Sequence, residues 1–126
     1  MSTPSDPISV LVVEDNELVR FLATDFLEED GFKVFGARRA DEAIRLLESN
    51  PDIGILFTDI NMPGSMDGLK LAQYARDRWP SLAIIVTSGR SQASQLLPER
   101  AVFLSKLYRM DQITQMLRKM TTRIAA

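Results

Sequence analysis

The sequence predicts an α/β domain built on a parallel sheet of five strands, doubly wound so that helices cover both faces. Three observations carry that expectation. Short apolar, β-prone runs alternate with stretches of helical period, five times along the chain. In the first and third runs the apolar residues are consecutive rather than alternate, as in strands buried on both faces. Four of the five runs end in polar or charged residues, at the sheet edge where such folds place their ligands.

Taken in order, residues 1–7 are a polar leader with Ser, Thr and Pro, expected to be disordered, ahead of one domain over residues 8–126. The first strand is Ile8-Ser9-Val10-Leu11-Val12-Val13, stopped by Glu14-Asp15-Asn16, two acids and a cap-type residue. Val19, Leu22, Ala23, Phe26 and Leu27 follow the spacing of one helical face, and Gly31 closes that helix. Residues 32–35 read as a short second strand. Ala40, Ala43, Ile44 and Leu47 mark a second helix with Asp41 and Glu42 in its first turn, ending at Asn50-Pro51.

The third strand, Ile55-Leu56-Phe57-Thr58-Asp59-Ile60, carries a carboxylate at its end, before Asn61-Met62-Pro63-Gly64. Residues 66–79 form a third helix of weaker periodicity, halted by Pro80. Residues 82–86 are a fourth strand ending in Thr87-Ser88-Gly89. Residues 91–97 allow only a short or irregular fourth helix before Pro98. Residues 101–104 give the fifth strand, ending in Ser105-Lys106. Met110, Ile113, Leu117, Met120 and Ile124 form the buried stripe of a last helix. At this length, the flavodoxin-like strand order 2-1-3-4-5 is the natural doubly wound solution.

Composition narrows the chemistry. The 126 residues include no cysteine and no histidine, which excludes disulfides, thiolate or imidazole metal sites and any Ser-His machinery. Acid–base or nucleophilic work must fall to carboxylates, hydroxyls, lysine or a bound ion. The formal charge of −2 argues against direct nucleic-acid binding. That charge is uneven: Arg100, Lys106, Arg109, Arg118, Lys119 and Arg123 outweigh Glu99 and Asp111 near the C-terminus. This is either a solvated basic helix or a docking face. No apolar run is long enough to span a membrane, and no secretory signal is present, so a cytoplasmic protein is expected.

The strand ends form a constellation. Strand one delivers Glu14 and Asp15, strand three Asp59, strand four Thr87 and strand five Lys106. In the order 2-1-3-4-5, strands one and three are neighbours, so three carboxylates crowd one pocket. Like charges repel there unless they share a cation. Without His or Cys the fitting cation is hard, and Mg²⁺ suits one or two carboxylates plus phosphate oxygens. Thr87 adds a hydroxyl and Lys106 a fixed cation, which equips the pocket to neutralise a phosphoryl group on Asp59. Each residue also has a plain structural use: Glu14 and Asp15 as helix caps, Thr87 as a turn residue, Lys106 as a solvated charge.

Val12-Val13-Glu14-Asp15-Asn16, Thr58-Asp59-Ile60-Asn61-Met62-Pro63, Met66-Asp67-Gly68, Val86-Thr87-Ser88 and Phe103-Leu104-Ser105-Lys106 together resemble a response-regulator receiver domain of two-component signalling. The likeness covers residues 8–124. It implies Asp59 as phospho-acceptor, and Asp15 and Asp59 as direct Mg²⁺ ligands with the backbone carbonyl of Asn61. Glu14 would act through metal-bound water. The resemblance further implies Thr87 as the hydroxyl that moves onto the phosphate, Lys106 as its cationic partner and Phe103 as the switch aromatic. A plain core aromatic is the other reading of Phe103. Asn61 and Gly89 would flank the phosphate approach and tune hydrolysis.

Three departures stand out. The family usually has Lys-Pro with a cis peptide where this chain has Lys106-Leu107, so a trans bond and a shifted Lys106 or loop are expected. The loop Pro63-Gly64-Ser65-Met66 is one residue longer than the commonest pattern. The span from Thr87 to Lys106 is shorter, again pointing to a stunted fourth helix.

The resemblance implies a switch that takes a phosphoryl group from a sensor histidine kinase or a histidine phosphotransfer protein, catalyses its own phosphorylation and hydrolysis, and signals to a downstream protein by contact. It would be a stand-alone regulator or a module of a hybrid kinase. Two rivals remain. One is a degenerate receiver that only binds partners, which Leu107 and the short fourth helix favour. The other is a Mg²⁺-dependent phosphatase of the haloacid-dehalogenase type, which would want its nucleophile on the first strand and a second Asp where Asn61 stands. An FMN-binding flavodoxin is disfavoured, because the acidic first loop repels a phosphate that needs backbone N–H groups.

Overall fold

The computed structural model describes residues 8–60, 67–88 and 97–105. Its elements are β1 (Ser9–Val13), α1 (Glu17–Glu29), β2 (Lys33–Ala37), α2 (Ala40–Ser49), β3 (Ile53–Asp59), α3 (Gly68–Arg78), β4 (Ala83–Ser88) and β5 (Val102–Ser105). All strand pairings are parallel, and the sheet order is β2-β1-β3-β4-β5. The expected five-stranded topology is therefore present. The leader, the short fourth helix and the last helix lie outside the described residues.

The consecutive apolar residues of each strand separate onto two faces, as the two-residue period requires. Leu11, Val13, Leu56, Ile84 and Val86 join Ala40, Ala43 and Leu47 of α2 and Leu71, Ala72 and Ala75 of α3 in one core. Val10, Val12, Ile55, Phe57 and Ile85 turn the other way, onto Ala23 and Leu27 of α1. Burial on both faces is why these strands read as unbroken apolar runs.

Local chemistry sets the helix ends. Asn16 caps α1, its side chain accepting from the Val19 N–H at 3.0 Å. At the far end Gly31, with φ +99°, lets the Phe32 N–H turn back to the Leu27 carbonyl at 3.1 Å. Asp67 caps α3 by accepting from the Lys70 N–H at 2.9 Å. Among the described residues no helix is long and apolar enough to cross a membrane.

Two expectations need correction. The α1 stripe was expected to be Val19, Leu22, Ala23, Phe26 and Leu27, yet Leu22 is 51% exposed and Val19 37%. The stem of Arg20 lies over β2 at Gly36 instead, so the first turns of α1 present an arginine, not a branched apolar residue, to the sheet. Strand β2 runs past residue 35 to Ala37. Val12 and Val13 pair with Gly36 and Ala37, and the ladder carries the strand through a glycine that weakens the local signal.

Candidate functional site

The site begins where β1 ends. The Glu14 N–H donates to the Ala37 carbonyl at 3.0 Å, extending the β1–β2 ladder by one step. The Glu14 carboxylate then accepts the Asn16 N–H through Oε2 at 3.0 Å. Asn16 in turn caps α1, and the Arg20 N–H closes on the Asn16 carbonyl at 2.9 Å. The Glu14 and Asn16 N–H groups and the Asn16 carbonyl are thus all bonded along the turn from β1 into α1. Glu14 is buried and Asp15 exposed.

Val13 is the register partner of Thr58, so β3 delivers Asp59 beside that loop. Asp59 is only 2% exposed. One carboxylate oxygen from each of Glu14, Asp15 and Asp59 lies within 4.8 Å of the others. This gathers three oxygen donors at the β1/β3 switch point, where the chain's winding reverses and doubly wound sheets open a crevice.

The backbone around Asp59 is bound on several sides. The Thr58 hydroxyl donates to the Asp59 carbonyl at 3.1 Å. The Ile60 N–H donates to the Thr87 carbonyl, and the Gly68 N–H to the Ile60 carbonyl, both at 2.9 Å. A Cβ at Gly68 would fall onto the Asp59 carbonyl oxygen and its carbon. Only glycine lets the start of α3 close over the end of β3. This gives Met66-Asp67-Gly68 a local meaning: Asp67 caps the helix and Gly68 admits the close approach.

Thr87 is buried and is the register partner of Asp59 on β4. Phe103, half-buried on β5, pairs with Val86. Strand β5 stays in step with β4 up to the Ser88–Ser105 pair, one residue before Lys106 in the sequence. Asn61, Gly89, Lys106 and the Lys106-Leu107 bond lie outside the described residues. The structure therefore brings together Glu14, Asp15 and Asp59, and sets Thr87 on the strand beside Asp59.

Sequence reasoning passed over Arg20. Its Nη1 donates to the Glu14 carbonyl at 2.8 Å, and its stem rests on Gly36. A glycine within a strand was the available signal, since it often marks a close approach.

A doubly wound parallel sheet with clustered carboxylates at its switch point defines a class of α/β proteins with an oxygen-donor site at the strand ends. The particular family follows from comparison: the chain belongs to the response regulator receiver domain family, whose model matches residues 10–118. A putative NtrX-like response regulator from Rickettsia bellii is 32% identical over 83 residues, covering 65% of this chain and 17% of that protein. The chain thus spans under a fifth of such relatives. A response regulator receiver protein from Pseudomonas putida superposes with a TM-score of 0.79 at 29% identity, covering 90% of this chain and 98% of that one. One from Sinorhizobium medicae reaches a TM-score of 0.84 at 22% identity, covering 91% and 94%, a likeness of fold.

Proposed function

We propose that this receiver domain accepts a phosphoryl group on Asp59 in a Mg²⁺-dependent reaction. The observation that carries the reading is the convergence of the Glu14, Asp15 and Asp59 oxygens within 4.8 Å. Three carboxylates so close suit a hard divalent cation, and the chain has no His or Cys to favour a softer one. Asp15 and Asp59 would hold the ion directly with the Asn61 carbonyl, and Glu14 through water. Bound there, Mg²⁺ would supply positive charge to the phosphoryl oxygens.

The chain's own residues have distinct tasks. A carboxylate oxygen of Asp59 attacks phosphorus, the bond from phosphorus to the imidazole nitrogen of the donor breaks, and that nitrogen keeps the electron pair and takes up a proton. The Thr58 hydroxyl bond and the backbone bonds at Ile60 and Gly68 keep Asp59 in place during the exchange. The Thr87 hydroxyl and the Lys106 ammonium neutralise the new charge, and Phe103 reports it to the β5 side of the surface. The donor is a sensor histidine kinase or a histidine phosphotransfer protein. Output passes to a downstream protein by contact, in the cytoplasm, without direct nucleic-acid binding. The domain catalyses its own phosphorylation and dephosphorylation.

The test is intact-mass measurement after incubation with acetyl phosphate, with and without Mg²⁺, beside Asp59→Asn. The expected result is a Mg²⁺-dependent phosphoryl adduct on the wild type alone. A second reading, a receiver that only binds partners, draws on Leu107 in place of the family's proline. It would be favoured if neither acetyl phosphate nor a phosphohistidine donor yields an adduct.

A further inference from the structure

The acidic loop depends on one peptide more than on any other. The Glu14 carbonyl and the Asp15 N–H belong to the same planar unit. Its orientation decides where Asp15 starts and how Glu14 and Asp15 diverge. Preceding it, the Glu14 N–H is already tied to the Ala37 carbonyl at 3.0 Å. The Glu14 carbonyl, however, lies past the last ladder step and before the first helical turn. It is Arg20 that takes it, through Nη1 at 2.8 Å.

Arg20 reaches that carbonyl by a fixed route. Its stem crosses β2 at Gly36, where a Cβ would stand 3.4 Å from Arg20 Cδ and 3.8 Å from Cγ and Nε. Gly36 is the register partner of Val12, two residues before Glu14. A β-branched side chain at residue 36 would occupy the volume the stem now fills. The glycine that interrupts the β2 signal is thus the seat of the arginine.

We infer that Arg20, seated on Gly36, is a positioning residue of the acidic site: it orients the Glu14–Asp15 peptide so that both carboxylates meet Asp59. This rests on the reading of that site as a Mg²⁺ site. Partners behind metal ligands hold the ligands in place, and their loss typically weakens binding about 10–100-fold.

The effect has a sign that charge alone cannot mimic. Removing a cation beside three carboxylates would, by electrostatics only, tighten Mg²⁺ binding. Loss of the positioning bond weakens it. Mg²⁺ titration of the full chain by calorimetry separates the two. Arg20→Met keeps most of the stem and is expected to raise the Mg²⁺ dissociation constant about tenfold. Gly36→Val leaves every charge in place and adds a strand-favouring residue. It is expected to weaken binding in the same direction by displacing the stem. Gly36→Ala, whose Cβ makes only ordinary contact, stays within about twofold of wild type. Thermal melts without Mg²⁺ identify any variant that has simply unfolded.

Unchanged or tighter binding in folded Arg20→Met would overturn the inference while leaving the metal site standing. Weakened binding in Arg20→Met with wild-type affinity in Gly36→Val would overturn the role of Gly36 as its seat. A wild type that binds Mg²⁺ no better than Asp15→Asn would overturn the metal reading and this inference together.

Discussion

At the N-terminal edge of the sheet, Arg76 of α3 is 8% exposed and surrounded by carbonyl oxygens. Its Nε donates to Glu99 at 2.8 Å, and its Nη1 donates to Pro80 at 2.9 Å and Leu82 at 2.6 Å. Arg100 adds a bond to the same Pro80 carbonyl at 3.0 Å. At the opposite edge, Glu14, Asp15 and Asp59 bring like charges together. One edge uses a buried cation to join the turns that lead into β4 and β5. The other concentrates negative charge with mutual repulsion built in. Charge at the first edge supports the fold; charge at the second is, in the function proposed above, the seat of a cation.

Between the two edges, the larger effect is expected at the buried cation. Arg76→Met retains bulk but removes the guanidinium from the Glu99 and Leu82 carbonyls, while the Pro80 carbonyl keeps its bond from Arg100. Unsatisfied buried acceptors cost about 1–3 kcal/mol each, so a total loss of about 2 kcal/mol or more is expected in urea unfolding. A loss below about 1 kcal/mol would mean that water replaces the guanidinium and that the edge is not held by Arg76. Burial and the nearby Arg100 lower the pKa of Arg76, while Glu99 opposes them.

The acidic edge should respond with the opposite sign. Without a divalent ion, Asp59→Asn removes one of three crowded charges and is expected to stabilise the domain by about 1 kcal/mol. Mg²⁺ at about 100 times its dissociation constant should stabilise the wild type by about 2.7 kcal/mol and the variant much less. Thermal melts over a Mg²⁺ series read both effects. Equal stabilisation of the two proteins would place the ion elsewhere and remove the contrast between the edges.

The fold was legible because its strands are apolar on both faces and its turns carry their own signals. Asp59, Glu14 and Asp15 could be assigned to one edge because each follows an apolar run, and strand order does the rest. What escaped was long-range use of side chains by the backbone. Arg76 reaches Glu99 across 23 residues, a bond that periodicity cannot register. It also sits beside Ala75 on the buried face of α3, which is why that helix showed weaker periodicity than its packing warrants. Gly36 shortened the expected β2 for a related reason: its local preference opposes the strand, while the ladder to Val12 and the seat for Arg20 require it.

The smallest expected effect is at Leu22, set against Leu27 on the other face of α1. By spacing alone Leu22 belongs with Ala23 and Leu27, yet it is 51% exposed while Leu27 is 1% exposed. Leu27→Ala should cost about 2–5 kcal/mol, as for other truncations of a buried leucine. Leu22→Gln keeps helix-forming character and, being at the surface, should change stability by no more than about 0.5 kcal/mol. Parallel urea titrations of the two variants would measure the ratio. A cost for Leu22→Gln approaching that of Leu27→Ala would restore Leu22 to the buried stripe. It would also mean that the first turns of α1 lie closer to the sheet than the Arg20 stem over Gly36 allows.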